Sequence, residues 1–432
     1  MTLADGLTSP HTPVKGLVLT MLLGTASLDI TPPVGTLMAG SLRPRASVGV
    51  DDPLLCKAMV LDNGETRIAL VTLDLIVWTR RRAEGARARI AAEAGIPSEC
   101  ALINCSHTHS GPYTDESIYL EGSLDEPYLA RVEAAIGESV CQAAKSLQAV
   151  TVGTVKTSLG GVARNRRLLR ADGSAINAWL ATAEQVATLP LAGPTDEDLM
   201  AWVFFGEQRP VATLWNYTVH VNSHFGTSFS ADYPGRVALA LRETFGDDFF
   251  SLFLPGACGD INHSVGFEAI HSRLSEKMRE VVGGAAPGGS DALGATWREV
   301  HLGVRDREPF QAEEIGEKWP DCLDVFENED RLLKSDPQDE VVTVVQVLRI
   351  GEGAVAATPG EYFSQLGLDI KQRSPYAVTA VAELCNDLIG YIPTLEAFKQ
   401  GGYETFRSRW ARVVAGSGEA IADELVEMLG QV

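Results

Sequence analysis

The sequence predicts an α/β fold, a mixed β-sheet core with flanking helices, and three observations predict it. First, apolar segments of strand length recur between turn signals. Residues 54–61 and 67–76 flank Asp62-Asn63-Gly64, and Asn-Gly between apolar runs is a strong hairpin signal. Second, a strand at 67–76, a helix at 80–94 and a strand at 101–104 follow one another, the order found in α/β sheets. Third, strand after strand runs into a loop rich in Gly, Pro and hydroxyl residues that carries a histidine or a carboxylate. Open α/β sheets hold ligands at such carboxyl strand ends.

The remaining elements follow in order. Residues 1–21 are expected to be a ragged leader, with the first core strand behind it and breaking at the Pro32-Pro33 turn. The polar loop with Gly35, Gly40, Arg43 and Arg45 suits a site lining and a plain surface turn equally well. Asp74 lies in an apolar run, so its carboxylate must be paired, hydrogen-bonded or metal-bound. The helix at 80–94 stops at Gly95 and Pro97; another spans 126–147, and a strand spans 151–159. Residues 160–170 carry Arg164, Arg166, Arg167 and Arg170, a basic cluster suited to a carbonyl or an anion. Residues 180–198 read as an irregular surface excursion. Strands follow at 200–205 and 211–217, a helix starts at Pro234, and a strand covers 249–254. Further on come a strand at 293–304, acidic helical sequence at 309–333, a hairpin of 341–350 with 354–357, a helix starting at Glu361, a strand at 378–384 and a closing helix at 419–429. No internal repeat is visible in the sequence.

Composition narrows the partners. The 432 residues are 45% hydrophobic and 22% charged, ordinary for a globular protein. Against 57 acidic residues stand 36 basic ones, a formal charge of -21 that repels nucleic acid and anionic membrane surfaces. No run approaches the ~18 apolar residues of a membrane span. Seven scattered cysteines without a CxxC pair read as free thiols of a reducing, cytoplasmic compartment. The apolar run 16–26 after Lys15 makes export the alternative.

The chemistry sits in the loops. Residues 104–112 read NCSHTHSGP, and His107 and His109 at i and i+2 point the same way on an extended backbone. Residues 216–224 read NYTVHVNSH and place His220 and His224 after another strand. Residues 255–264, PGACGDINHS, add Asp260, Asn262 and His263. Glu361 in TPGEY and Tyr391 in GYIPT complete the candidates. Two or three histidines with a carboxylate and an open position form the catalytic zinc pattern. No HExxH is present, which excludes the helix-borne metalloprotease layout.

Taken in order, these stretches resemble the motifs of the neutral/alkaline ceramidase family, zinc-dependent amidases that cleave N-acyl sphingosine. NCSHTHSGP is similar to its histidine motif, NYTVH to its second histidine motif, GACGDIN to its GDxSPN turn and TPGEY to its TPGEF. GYIPT followed by GGYE is similar to its paired-tyrosine segment. The likeness runs from about Ile30 to Glu404. It implies one ceramidase-like zinc hydrolase domain over residues 22–432, with zinc held by His107, His220, Glu361 and Tyr391. His109 becomes the acid/base or orienting group beside the metal water, and Arg166 and Tyr403 face the substrate carbonyl. Two departures qualify the likeness. Asn262 and His263 stand where the family has Ser and Pro, and the chain ends without a counterpart of the family's C-terminal immunoglobulin-like domain. The expectation is a zinc-dependent amidohydrolase acting on C–N bonds other than peptide bonds. Its small-molecule substrate would be an acylated amine smaller or more polar than ceramide, with Arg43, Arg45 or His263 reading a polar group. A zinc phosphatase or esterase and an inactive metal-binding relative are the alternatives.

Overall fold

A computed structural model describes residues 21–43, 45–115 and 124–432. The expected leader lies outside the described residues except for Met21, which already belongs to the first strand. The α/β expectation holds, and its strands build an eight-stranded and a four-stranded sheet.

Both sheets come from one topological unit used three times. The first unit has strands β1 (Met21–Asp29), β2 (Leu55–Asp62) and β3 (Arg67–Leu73), helix α1 (Arg80–Ala94), strand β4 (Ala101–Cys105) and helix α2 (Glu126–Lys145). The second has β5 (Gln148–Ser158), β6 (Asp198–Phe205), β7 (Pro210–Tyr217), α3 (Asp232–Phe245), β8 (Phe250–Pro255) and α4 (Phe267–Gly284). The third has β9 (Leu293–Gly303), β10 (Glu340–Ile350), β11 (Gly353–Ala357), α5 (Ser364–Arg373), β12 (Val378–Ala382) and α6 (Ser417–Leu429). In each, the first three strands form an antiparallel meander, and the fourth returns through a helix to pair parallel with the third. A parallel pair needs such a crossover, because a tight turn only reverses the chain. β1 and β5 pair antiparallel and join the first two units into the larger sheet.

Burial follows the strand period. Along β3, Ala69, Val71 and Leu73 pack under α1 and α2, while Ile68 and Leu70 face the opposite side. That inner core draws Met59 and Leu102 from the first unit, Trp202 and Leu252 from the second, and Val355 and Ala380 from the third. Helices lie outside and sheet faces meet inside, so the inner strands are buried on both sides, while the edge strand β9 stays half-buried or exposed along most of its length.

The structure departs from the sequence reading in three places. Residues 267–284, which that reading left unassigned, form α4; Ile270, Leu274, Met278 and Val281 supply its buried stripe at helical spacing. Glu361 does not begin a helix. Glu361–Tyr362 is a short strand parallel to Tyr391–Ile392, and α5 starts at Ser364. The Glu361 N–H donates to the Gly390 carbonyl and the Tyr362 N–H to the Glu383 carboxylate, which holds this backbone extended. The excursion at 180–198 contains a helix, Ala183–Thr188, closed by a capping box between Thr182 and Gln185. Its far end turns inward, where Asp196 pairs with buried Lys371. All seven cysteines are unpaired. Among the described residues, no helix is long and apolar enough to cross a membrane.

Candidate metal centre

The candidate residues converge where strand ends of the three units meet. β4 stops at Cys105, and the chain then turns. His107 has φ 68, so the two histidines of HTH converge through this turn and not by strand alternation. His109 is fixed next: its N–H donates to the Val221 carbonyl, and Arg45 donates to the His109 carbonyl at 2.7 Å. Gly40 lies against its ring; a Cβ there would sit 2.4 Å from the His109 Cβ, and its φ of 87 already favours glycine. His220 arrives three residues after β7. Glu361 follows β11, and Gly259 runs so close beneath it that a Cβ would lie 2.4 Å from the Glu361 carbonyl oxygen.

The three imidazoles form a triangle. Nε2 of His107 lies 3.1 Å from that of His220 and 3.3 Å from that of His109, and His109 and His220 are 3.1 Å apart. Each Nδ1 faces a backbone carbonyl: Ile76 at 2.9 Å for His107, Gly40 at 3.0 Å for His109 and Cys258 at 3.3 Å for His220. A carbonyl only accepts, so each neutral ring carries its proton on Nδ1 and turns an Nε2 lone pair inward. Three converging lone pairs repel unless a cation sits among them. Two nitrogens on one tetrahedral zinc lie about 3.3 Å apart, given Zn–N bonds of about 2.0–2.1 Å, and the triangle fits that spacing.

Glu361 adds the negative charge. Its Oε2 lies 3.5 Å from Nε2 of His107 and 3.9 Å from that of His220, and it is buried without a hydrogen-bond donor. Burial opposes a charge on His107, but the Glu361 carboxylate, together with Glu383 and the Ile76 carbonyl, outweighs it and raises the pKa. Burial, reinforced by the charge of His107, drives His109 and His220 well down. The cluster therefore fits a divalent ion: inward-facing imidazoles with tautomers fixed from outside, beside an orphaned carboxylate oxygen.

A cavity of about 110 Å³ opens over the cluster. His109, the least buried of the three histidines, lines it with Tyr391 and Tyr403, together with Leu42, Leu388 and Trp410. Tyr391 pairs with Glu361 in the parallel ladder; its ring lies 5.6 Å from that of Tyr403, and the Arg166 guanidinium lies 5.4 Å from its centroid. Burial first, then the Glu361 charge, pushes both phenols well up. Arg166 is buried, donates from Nε to Glu404 at 2.8 Å and leaves Nη2 without a protein acceptor. Glu404 also takes Arg167 at 2.7 Å and Asn177 at 2.7 Å. Burial resists ionisation of Glu404, but Arg166 and Arg167 outweigh it and hold the carboxyl below its usual range. Beyond Tyr403, Trp319 and Trp179 continue the aromatic wall at ring separations of 5.0 and 5.8 Å, and Trp179 is 43% exposed.

Thus His107, His109, His220, Glu361, Tyr391, Tyr403 and Arg166 are brought together. Of the other candidates, Arg45 reaches the cluster only at the His109 carbonyl, and the rest lie apart. His224 is bound to Asp51 at 2.9 Å and Ser110, so the second histidine pair contributes only one member. His263 meets the Val265 carbonyl, Asp260 braces Ser364 and Asn165, and Asp74 accepts the Leu55 N–H near Lys57. Arg43 points away, to Asp324. Arg164 reaches the Val186 carbonyl. Sequence reasoning missed Glu383, a buried carboxylate closing an apolar strand. The signal was the one that singled out Asp74: an acid inside a run of buried residues.

No family model matches the sequence, and no curated protein matches it. Solved structures do match. The neutral ceramidase of Pseudomonas aeruginosa superimposes with a TM-score of 0.72 at 17% identity, covering 95% of this chain and 74% of that one. A structure described as ceramidase complexed with C2 gives 0.73 at 18% identity, with coverage of 95% and 75%. By its fold, with a histidine cluster at the strand ends, the chain is neutral ceramidase-like.

Proposed function

We propose that the protein is a zinc-dependent amidohydrolase that cleaves the N-acyl bond of an acylated amine smaller or more polar than ceramide. The observation that carries this is the triangle of inward-facing Nε2 lone pairs beside the unpartnered Glu361 oxygen, an arrangement that needs a cation. In this reading His107, His220, Glu361 and Tyr391 hold the ion. His109 is the more accessible histidine, lies farther from Glu361 and faces the cavity. A bound zinc lowers the pKa of a water to ~7 and polarises a carbonyl.

The chain's own residues supply the rest. The Gly40 carbonyl keeps the His109 proton on Nδ1, so its Nε2 accepts a proton from the attacking water and passes it to the leaving amine. Tyr403, which lines the cavity, and Nη2 of Arg166, which lies behind Tyr391 with no protein acceptor, are assigned to the negative charge that develops on the carbonyl oxygen. The Glu404 carboxylate holds Arg166 there before substrate arrives. The small cavity supports a compact group at the reacting carbon, with the remainder of the substrate outside against Trp179 and Trp319.

The test is elemental analysis of protein purified without chelator, followed by hydrolysis of N-acyl amines, carboxylic esters and phosphate monoesters. About one zinc per chain and preferential turnover of the amides are expected. Turnover of phosphate esters alone moves the protein to the phosphatase class, and bound zinc without turnover makes it a binder.

A further inference from the structure

Glu383 follows the last residue of β12 and has no exposed surface. Its main chain already joins the units. Its N–H donates to the Pro255 carbonyl, at the end of β8, at 3.1 Å, and its carbonyl accepts Asn104, from β4, at 2.7 Å. The carboxylate then takes three donors. Oε2 accepts the Cys258 N–H at 2.9 Å and the Tyr362 N–H at 3.0 Å, and Oε1 accepts the Cys258 thiol at 2.9 Å. No Lys or Arg among the described residues forms an ion pair with it.

Those donors belong to the backbone that carries the metal cluster. The Cys258 carbonyl fixes the proton of His220 on Nδ1, so clamping the Cys258 N–H sets the position of that carbonyl. Tyr362 is the residue after Glu361, so clamping its N–H sets the strand from which Glu361 projects. The Gly259 N–H donates to the Tyr362 carbonyl at 2.9 Å and closes the same link from the other side. One oxygen therefore registers the His220 support against the Glu361 support. A carboxylate suits the task, since each oxygen accepts two bonds and three donors converge. A buried carboxylate with no basic partner is costly unless a cation lies near.

We infer that Glu383 is a positioning residue for the metal centre, locking the Cys258 turn behind His220 to the Glu361 strand and adding a second negative charge behind the ion. This rests on the proposed metal site and assigns no contact with substrate to Glu383.

The test uses the full-length chain and zinc itself. Zinc affinity is measured by competition with a chromophoric chelator for wild type and Glu383→Gln, with the visible spectrum of the cobalt-loaded forms as the second readout. Glutamine keeps the shape and one accepting oxygen but removes the charge. Support for a metal group from outside its ligands is worth about 10–100-fold in affinity, and a loss of that size with an altered cobalt spectrum is expected. A merely structural role lowers the melting point of the metal-free protein and leaves zinc affinity unchanged, and that result overturns the proposal. Should Glu383→Gln fail to fold, Cys258→Ala decides instead. It strips one donor from the carboxylate and a 3.7 Å sulfur contact from Nδ1 of His220, and keeps both backbone bonds. Severalfold weaker zinc binding, restored by Cys258→Ser, which keeps a donor to the carboxylate, supports the role, and unchanged binding overturns it. A wild-type chain that takes up no zinc removes the site itself, an outcome distinct from equal binding by wild type and variant.

Discussion

The first two units share a topology and a sheet, yet they supply their histidines in opposite ways. In the first, the ligand candidate His107 follows the fourth strand, and the carbonyl that orients it, Ile76, follows the third. In the second, His220 follows the third strand, and its orienting carbonyl, Cys258, follows the fourth. The third and fourth strands of each unit are parallel neighbours, so their carboxyl ends lie side by side. Either can present the side chain while the other fixes it. What the fold conserves across the units is a pair of adjacent strand ends; which of the two carries the chemistry is left to the loops.

The third unit gives this its sharpest form. Glu361 follows its third strand, as His220 does in the second, but the fourth strand supplies a carboxylate, Glu383, in place of an orienting carbonyl. The largest effect is expected where a unit loses its only ligand. His220→Ala should abolish zinc binding at stoichiometric zinc and cut turnover by more than the ~100-fold that loss of an outer support costs. Retention of zinc by His220→Ala would break the comparison, because the second unit would then contribute nothing essential. His109→Ala provides the contrast within one loop. If His109 handles the proton and does not hold the ion, this variant keeps its zinc and loses about 10²–10⁴-fold in kcat. Loss of the metal as well would make it a ligand.

Tyr403→Phe is expected to come next. It removes one hydroxyl facing the carbonyl, which should lower kcat by about 10²-fold with little change in KM. An equal rise in KM instead would assign Tyr403 to substrate binding with Trp179 and Trp319.

The sequence made parts of this legible because the relevant signals are local. Asn63-Gly64 marked a hairpin, Gly95 and Pro97 marked the end of α1, and HTH and TPGE marked the loops that carry His107, His109 and Glu361. What escaped is set by long-range pairing. The threefold unit has no trace in the sequence, since any set of apolar segments can form a meander and a crossover. Glu361 looked like a helix start because an acid after Pro-Gly suits a helix N-terminus. Its strand identity comes from Gly390 and Glu383, residues remote in sequence. His224 looked equivalent to His220 until Asp51, a carboxylate far upstream, claimed it.

A pH effect separates the third unit from the others. Burial first, and then the neighbouring Glu361, push the Glu383 carboxyl from its ordinary 4.5 up to about 8, against the opposing pull of His107. Between those values the folded metal-free protein holds a proton that the unfolded chain has released. Stability therefore falls as pH rises through that window, the sign for a group that binds more protons when folded. Glu383→Gln cannot titrate. Urea unfolding of both metal-free proteins at pH 5, 6.5 and 8 should show wild type losing ground to the variant, by on the order of a few kcal/mol in all, at about 1.4 kcal/mol per pKa unit. A constant difference across that range would show that the carboxylate is already ionised in the folded state.

The smallest effect is expected where the first unit reaches the third at the surface. Arg43 grips Asp324 through two bonds of 2.9 and 2.8 Å and adds the Asp321 carbonyl at 3.0 Å. This ties the loop bearing Ser41 and Leu42, which line the cavity, to the helix Leu323–Ser335 inserted between β9 and β10. The geometry is good, but the side chains are 55% and 61% exposed, and solvent and salt screen such pairs. Gly40, two residues before Leu42, is held independently by the hydrogen bond from His109 and by the close packing around it. Arg43→Ala should therefore leave the melting point unchanged within error and kcat/KM within about twofold, since a screened surface pair contributes little. Adding salt to wild type should mimic it. A large fall in kcat/KM, reproduced by salt, would mean that the loop position depends on this pair, and the contact between the first and third units would then join the strand ends as part of the working site.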